Sequence, residues 1–196
     1  MNRDSYNKIA RQWAKVRDKS FVSKLVVDFA NKLSPNASVL DIGCGTGYPL
    51  AKYLSDKQFH VTGIDIAEKM VEIAKFQKIP NADFTVSDFF DFNSTKKFDG
   101  VLAWDSFFHF PKEKQEEIYH KVGNLLNAGG YLLFTHGDAD DEHIDKMMGE
   151  SFYYSCLLKE KVGEILNEAG FEIEYAKKDY LENDTDRSLV VLAKKK

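Results

Sequence analysis

Residues 39–54 read VLDIGCGTGYPLAKYL, and this stretch decides the fold. The apolar run at its start predicts a buried strand, and the pattern after the glycines predicts a helix with Pro49 in its first turn. Between them, glycines at 43, 45 and 47 predict a tight turn. Glycine has no Cβ, so the backbone there can adopt positive φ and a ligand can lie against it. The following helix directs its free N–H groups toward that ligand, so the segment predicts a binding crevice.

The composition predicts one globular domain spanning residues 1–196. The chain is 43% hydrophobic and 30% charged, with a net charge of −4 that disfavours a nucleic-acid-binding surface. No apolar run approaches the roughly 20 residues of a membrane span, and the N-terminus lacks an apolar signal-peptide core. Two cysteines, Cys44 and Cys156, are too few for a disulfide framework or a zinc site. We therefore expect a cytoplasmic protein, and the oligomeric state stays open.

Apolar periodicity predicts helices and strands that alternate along the chain, as in a doubly wound α/β fold with a largely parallel sheet. We expect helices at 4–18, 20–33, 47–56, 67–77, 112–127 and 159–169. We expect strands at 38–42, 60–65, 83–87, 98–103, 130–136, 171–178 and 188–194. Residues 1–33 would form an N-terminal helical cover over a core of residues 34–196. Ligands of such sheets bind beyond the carboxyl ends of the strands.

The glycine spacing narrows the choice of ligand class. The pattern D-x-G-x-G-x-G differs from the G-x-G-x-x-G of dinucleotide folds, and Tyr48 and Pro49 replace the Lys and Ser/Thr of a P-loop. The stretch resembles motif I of class I S-adenosylmethionine-dependent methyltransferases, and the resemblance covers most of the chain. It implies a Rossmann-like sheet of seven strands with the last one antiparallel, and S-adenosylmethionine as cofactor. The resemblance also implies that the amino-acid part of S-adenosylmethionine lies against Asp41, Gly43, Cys44, Gly45 and Gly47.

An acidic residue ends the second predicted strand. Asp65 closes the stretch HVTGID, where a carboxylate can accept hydrogen bonds from vicinal ribose hydroxyls. The alternative is an N-cap for the next helix, and both can hold. The resemblance also implies that Ile66 and Met70 pack near the adenine, with plain core packing as the alternative for Met70. Cys44 is better explained as a small side chain in a crowded turn than as a nucleophile.

The third and fourth strands end in further candidates. Asp88 closes DFTVSD, and the resemblance implies that it contacts the adenine amino group while the backbone of Phe89 contacts a ring nitrogen. A turn cap is the alternative for Asp88. Trp104, at the exit of strand four, is a candidate wall for the adenine or the sulfonium, because cations lie favourably against aromatic faces. Core burial is its alternative.

Tyr6, Ala10 and Trp13 form a Tyr-x-x-x-Ala-x-x-Trp pattern. It resembles the N-terminal helix that closes over the cofactor in many small-molecule methyltransferases, which implies that Tyr6 reaches the cofactor carboxylate and that Trp13 lies beside the cofactor. The alternative is an amphipathic helix that packs on the sheet.

His109 and His136 are the candidate proton acceptors, since both lie at strand exits and histidine titrates near neutrality. Asp105 is a candidate to orient either one or to cap the turn. Tyr153 and Tyr154 follow a polar stretch, 137–150, and are candidates for an aromatic wall around the acceptor. The acidic run within that stretch predicts a solvated loop and no metal site.

We therefore expect a methyltransferase with a small-molecule acceptor. The strand-four exit reads WDSF and lacks the Asn/Asp-Pro-Pro-Tyr motif of enzymes that methylate nucleic-acid bases or protein glutamine. Two alternatives stay open. A nicotinamide-dependent oxidoreductase is disfavoured by the glycine spacing and by the lack of a Tyr-x-x-x-Lys signature. A protein that binds S-adenosylmethionine without turnover is the other.

Overall fold

A computed structural model describes residues 1–18 and 20–196; residue 19, in the predicted cover, lies outside the described residues. The helices are α1 (Asn2–Arg17), α2 (Lys24–Lys32), α3 (Leu50–Asp56), α4 (Glu68–Phe76), α5 (Gln115–Leu125) and α6 (Lys159–Glu168). The strands are β1 (Ser38–Ile42), β2 (His60–Asp65), β3 (Ala82–Val86), β4 (Phe98–Ala103), β5 (Leu126–His136), β6 (Asp141–Met147), β7 (Glu150–Cys156), β8 (Phe171–Glu182) and β9 (Thr185–Lys195). Two short 3-10 turns, Phe107–His109 and Lys112–Lys114, follow β4.

Seven strands form one sheet in the order β3-β2-β1-β4-β5-β9-β8. The first five are parallel, and β9 runs antiparallel to both β5 and β8. The predicted doubly wound fold with an antiparallel last strand is therefore confirmed. The strand order reverses beside β1, so the carboxyl ends of β1 and β4 flank the switch point where ligands bind in such sheets.

Helices cover both faces of this sheet, so the central strands are buried on both sides and read as apolar runs. One face packs against α2, α3 and α4, with Phe29 and Leu54 fully buried there. The other packs against α5 and α6, with Tyr119 and Leu166 fully buried. The predicted cover therefore divides, because α2 belongs to the sheet layer and α1 does not.

The cover consists of α1 and the hairpin of β6 and β7. A third apolar cluster joins Ile9 and Ala10 of α1 to Phe152 of β7 and Met70 of α4. The prediction of a solvated loop at the acidic run 138–143 was wrong in part, since 141–147 form β6. This strand is exposed and pairs only with β7 in the described sheets, so it shows no apolar alternation that periodicity could detect.

Helix α3 begins at Leu50, three residues later than predicted. Gly47 has φ of +81°, which helical backbone does not adopt, and Pro49 caps the helix. The glycine turn is therefore longer than the motif suggests. Among the described residues, no helix is both long and apolar enough to cross a membrane.

Candidate active site

A cavity of about 700 Å³ opens at the carboxyl ends of β1, β2, β3 and β4, beneath α1 and the hairpin. Fourteen sequence-predicted site residues line it: Tyr6, Trp13, Asp41, Gly43, Cys44, Gly45, Asp65, Ile66, Met70, Asp88, Phe89, Trp104, Asp105 and His109. Gly47 and His136 are not among its lining residues. The structure thus gathers the ends of four strands and one helix face around a single space.

Close packing explains why the loop after β1 needs glycine. Gly43 has φ of +77°, and a Cβ there would lie 2.5 Å from Cβ of Ser106. Ser106 is held in place because its Oγ donates to the carbonyl of Ile42 at 2.8 Å. A Cβ on Gly47 would lie 2.9 Å from Cδ1 of Ile79, so this glycine serves packing beneath the loop rather than the cavity. The cofactor-contact prediction for Gly47 is not retained.

Asp65 ties the glycine loop to the end of β2. Its Oδ2 accepts from the backbone N–H of Gly45 at 3.0 Å, and its Oδ1 accepts from that of Ala67 at 2.8 Å. Burial raises the pKa of this carboxyl to about 6, against the opposing effect of these backbone donors. The alternative role of Asp65 as a helix cap is therefore present in the structure. Each oxygen keeps a lone pair, so its predicted contact with ribose hydroxyls stays open.

Asp41 is the more deeply buried carboxyl, with 3% of its surface exposed. Burial first, and then the charge of Asp65, raise its pKa to about 7, while Arg17 acts in the opposite direction. Burial also raises the pKa of the Cys44 thiol, followed by the charges of the same two carboxyls. A thiol held protonated is a poor nucleophile, which agrees with the expected role of Cys44 as a small side chain in the turn.

Thr46 and Arg17 also line the cavity, and our reasoning from the sequence missed both. Thr46 is 1% exposed, yet its Oγ1 has no hydrogen-bond partner among the described residues. A buried polar atom without a partner is costly, so this hydroxyl marks a place where a polar ligand fits. Arg17 lies one helical turn beyond Trp13, with its guanidinium 5.6 Å from that ring. That i+4 spacing was the available signal for Arg17.

The residues that the sequence predicts to lie near the adenine also line this cavity. Oδ1 of Asp88 accepts from the backbone N–H of Phe90 at 2.8 Å, so the turn-cap alternative is present. Phe89 is buried against Phe110, with ring centroids 5.8 Å apart. Met70 is also buried, in the cluster that joins α4 to the cover, while Ile66 is about one third exposed at the cavity.

Asp105 does not orient a histidine. It has φ of +58°, and its carboxylate accepts two hydrogen bonds from Arg187, both at 3.0 Å. The Arg187 guanidinium lies 4.6 Å from the centroid of the Trp104 ring. Nη1 of Arg17 lies 4.0 Å from Asp105 on the cavity side. The prediction that Asp105 acts through His109 or His136 is therefore replaced by a role in fixing two arginines.

Both ring nitrogens of His109 are engaged. Nδ1 lies 2.9 Å from the carbonyl oxygen of Tyr153, which can only accept, so Nδ1 carries the proton. Nε2 therefore accepts from the hydroxyl of Tyr6 at 2.7 Å. Burial lowers the pKa of His109 to about 4 and raises that of Tyr6. A lone pair already bonded in a weakly basic ring argues against the predicted role as general base.

His136 is 2% exposed and lies outside the set of cavity-lining residues. Its Nε2 lies 3.1 Å from Oε1 of Gln115, and its Nδ1 lies 2.8 Å from the carbonyl of Gly137. Gln115 in turn donates to the carbonyl of Phe107 at 2.9 Å. His136 thus supports the turn that carries His109, and its predicted role as a proton acceptor at the site is not retained.

The cover is fastened by side chains of α1. Nδ2 of Asn2 donates to the carbonyl of Tyr153 at 2.8 Å, and its Oδ1 accepts from the Tyr153 N–H at 2.8 Å. Ser5 adds a bond to the carbonyl of Ser151 at 2.7 Å. Tyr153 lines the cavity as predicted for an acceptor wall, whereas Tyr154 packs behind it against His109. Helix and hairpin therefore close the cavity together.

Comparisons with known proteins identify the family and the fold of this chain. Residues 33–170 match a family model described as "Methyltransferase domain". A relative from Ilyobacter polytropus, malonyl-acyl-carrier-protein O-methyltransferase 1, is 26% identical over 89% of this chain and 60% of its own length. Phosphoethanolamine N-methyltransferase 2 of Caenorhabditis elegans is 27% identical over 76% of this chain and 35% of its own length. The chain spans about half the length of the curated relatives it matches.

Solved structures show the same fold. The 1,6-didemethyltoxoflavin-N1-methyltransferase of Burkholderia thailandensis, solved with 1,6-didemethyltoxoflavin and S-adenosylhomocysteine, superposes with a TM-score of 0.79 at 18% identity. That match covers 99% of this chain and 87% of the other. Magnesium protoporphyrin IX methyltransferase of Synechocystis PCC 6803, with bound S-adenosylmethionine, gives 0.77 at 20% identity, covering 100% and 95%. These TM-scores establish a common architecture.

Proposed function

The chain belongs to the methyltransferase-domain family, and from that premise we propose that it is an S-adenosylmethionine-dependent methyltransferase with a small-molecule acceptor. The observation that carries the proposal is the meeting of the glycine loop with two strand-end carboxylates, Asp65 and Asp88, in one cavity. The cavity volume of about 700 Å³ is within the range of sites for small ligands.

The residues at the glycine loop fit the proposed cofactor. Thr46 Oγ1 needs a polar partner, and Arg17 offers a guanidinium for a carboxylate. Tyr6 is less suited to that carboxylate than the sequence suggested, because its proton is bonded to His109. Asp65 would hold the ribose hydroxyls, and Asp88 the adenine amino group. The buried carboxyl of Asp41 adds negative charge in its ionised form, which suits a ligand that carries a sulfonium and an ammonium group.

When bound, S-adenosylmethionine supplies an activated methyl group with a neutral thioether as leaving group. The protein then needs no covalent nucleophile, and its contribution is alignment and exclusion of water. The cover provides that exclusion, since α1 and β7 are joined over the cavity by Asn2 and Ser5.

The proposal includes a small acceptor and a cytoplasmic location. A net charge of −4 gives no support for a nucleic-acid partner. Cys44 and Cys156 are both free thiols, the state that a reducing compartment maintains.

Calorimetry tests the cofactor assignment. We expect saturable binding of S-adenosylmethionine and a loss of affinity of about 100-fold in Asp65→Ala, because a carboxylate that bonds both the loop and a ligand contributes about 2–3 kcal/mol. Asp83→Ala is the matched control, since Asp83 is exposed on β3 and is not a cavity-lining residue. Unchanged affinity in Asp65→Ala would remove the ribose assignment.

Two further outcomes separate the alternatives. Saturable binding of NADH without binding of S-adenosylmethionine would indicate an oxidoreductase. Cofactor binding with no release of S-adenosylhomocysteine across an acceptor panel would indicate a protein that binds the cofactor without turnover.

A further inference from the structure

The hydrogen bond between Tyr6 and His109 has a fixed direction, and this direction constrains the acceptor. We propose, as an extension that rests on the proposed function, that the acceptor atom is an uncharged amine nitrogen whose N–H donates to Oη of Tyr6.

The proton of Tyr6 is committed away from the cavity. Because the Tyr153 carbonyl accepts from Nδ1 of His109, Nε2 has a lone pair and takes the Tyr6 proton at 2.7 Å. Tyr6 nevertheless lines the cavity. Its oxygen keeps lone pairs, so it offers an acceptor to whatever lies beside it. A nucleophile that bears hydrogen is thereby oriented, whereas one that bears only lone pairs meets another lone pair.

Among the residues that the structure describes, none supplies a strong base to which Tyr6 could pass a proton. His109 Nε2 is already bonded, and burial holds the pKa of this ring near 4. An alcohol must lose its proton to become a competent nucleophile, and a ring of this basicity is a poor acceptor for it. An uncharged amine attacks through its own lone pair and can lose its proton after the transfer.

Negative charge around Tyr6 disfavours an anionic nucleophile. Burial is the largest cause that raises the pKa of Tyr6, and the charges of Tyr154, Asp65 and Asp105 raise it further. Arg17 opposes them, but its guanidinium lies within 4.0 Å of the Asp105 carboxylate. A carboxylate or thiolate acceptor would be repelled by this field, while an uncharged N–H donor is attracted to it.

The proposed step is balanced. The amine lone pair forms the N–CH₃ bond as the C–S bond breaks, and the bonding pair remains on sulfur. The positive charge passes from the sulfonium to the product ammonium, which releases one proton to solvent.

A paired acceptor panel tests the class. Purified protein with S-adenosylmethionine is incubated with primary and secondary amines of graded size. Each amine is matched with the alcohol or phenol and with the thiol of the same carbon skeleton. The pH is chosen so that some of the amines, such as anilines, are uncharged. We expect release of S-adenosylhomocysteine with amine members. Release confined to hydroxyl or thiol members overturns the proposal. Release with no member, in protein that binds S-adenosylmethionine, also overturns it and leaves the cofactor assignment standing.

Tyr6→Phe tests the contact with a matched control. The change removes the hydroxyl and keeps the ring that packs edge-on against Phe152 at 4.7 Å. We expect the kcat/KM for the amine to fall at least 30-fold while the affinity for S-adenosylmethionine changes less than threefold. Tyr154→Phe is the control, because this tyrosine contacts the same His109 ring and does not line the cavity. Equal kcat/KM in the two variants overturns the proposal.

Nitrogen NMR of the histidine side chains provides a readout without turnover. We expect His109 as the neutral Nδ1–H form from pH 5.5 to 8, with the Nε2 resonance shifted in Tyr6→Phe. An Nε2–H tautomer or an imidazolium in that range overturns the proposal. Loss of S-adenosylmethionine binding by the unaltered protein would instead overturn the proposed function.

Discussion

The two ends of the cavity are built in opposite ways. At the glycine-loop end (residues 41–47 and Asp65), backbone segments that follow the strands bring together the buried carboxyl of Asp41 and the half-buried carboxyl of Asp65, both with raised pKa values. The Thr46 hydroxyl, which has no partner among the described residues, lies at the same end. At the cover end (Asn2, Tyr6, His109 and Tyr153), polar side chains are paired with partners more than 40 residues away in the chain, including the backbone carbonyl of Tyr153. The Thr46 hydroxyl combines a missing partner with a place on the cavity wall, which suits a polar ligand, whereas the polar groups of the cover end are already paired.

Gly43→Ala gives the largest effect at the glycine-loop end. The new Cβ would lie 2.5 Å from Cβ of Ser106 at a backbone φ of +77°. Left-handed backbone costs alanine about 1–2 kcal/mol and overpacking adds about 1–3, so we expect a loss of about 3 kcal/mol in the free energy of unfolding. Chemical denaturation with and without S-adenosylmethionine measures it.

Gly149→Ala is the matched control from the hairpin turn. Gly149 has φ of +86°, but a Cβ there meets no atom of the described residues within 4 Å. We expect a cost of about 1 kcal/mol, from backbone strain alone. Equal losses in the two variants would show that close packing at the glycine-loop end contributes nothing beyond the turn itself.

The pH dependence of cofactor affinity also tests the difference between the glycine-loop end and the cover end. Asp41 and Asp65 have pKa values of about 7 and about 6, so both are partly protonated near neutrality. A cationic ligand favours their ionised forms and releases protons as it binds. We expect affinity for S-adenosylmethionine to rise about tenfold from pH 5 to pH 7, which is about 1.4 kcal/mol, by calorimetry in buffers of different ionisation enthalpy. Asp41→Asn should flatten this rise, and an equally steep rise in that variant would contradict the assignment.

The unliganded protein should respond in the opposite direction. Both folded-state pKa values lie above the usual carboxyl value near 4, so the folded protein binds more protons than the unfolded chain between about pH 4 and pH 7. The contribution of these groups to stability is therefore present below pH 4 and is lost as pH rises through 6 to 7. Saturating cofactor should reduce that loss.

The sequence predicts the glycine-loop end because its causes are local. The strand, the glycines at 43 and 45, and Asp65 lie within 30 residues, and each follows a backbone rule for strand ends and turns. The parallel sheet and its antiparallel last strand follow from periodicity and from the family resemblance. Thr46 lies inside the motif, but only the structure shows that its hydroxyl lacks a partner in the described residues.

The cover end is beyond such reasoning. Whether His109 is a free base depends on Tyr6 and on the carbonyl of Tyr153, which lie 103 and 44 residues away. Residue type alone predicts a proton acceptor, whereas the hydrogen-bond partners determine which nitrogen holds the proton. The strand β6 was missed for a related reason, since a solvated two-stranded ribbon requires no apolar face.

Asn2→Ala probes the cover end, and we expect it to have the smallest effect on cofactor affinity. The change removes two hydrogen bonds to the Tyr153 backbone, a loss of about 1–2 kcal/mol that is local to the junction of α1 and β7. We expect faster hydrogen exchange at the Tyr153 amide and a change of less than threefold in cofactor affinity. Lys8→Ala is the control, because the exposed ion pair of Lys8 with Glu150 joins the same two elements and should contribute less. If Asn2→Ala lowered cofactor affinity as much as Asp65→Ala does, the two ends of the cavity would behave as a single cooperative unit. Their contributions to the free energy of cofactor binding would then not be separable.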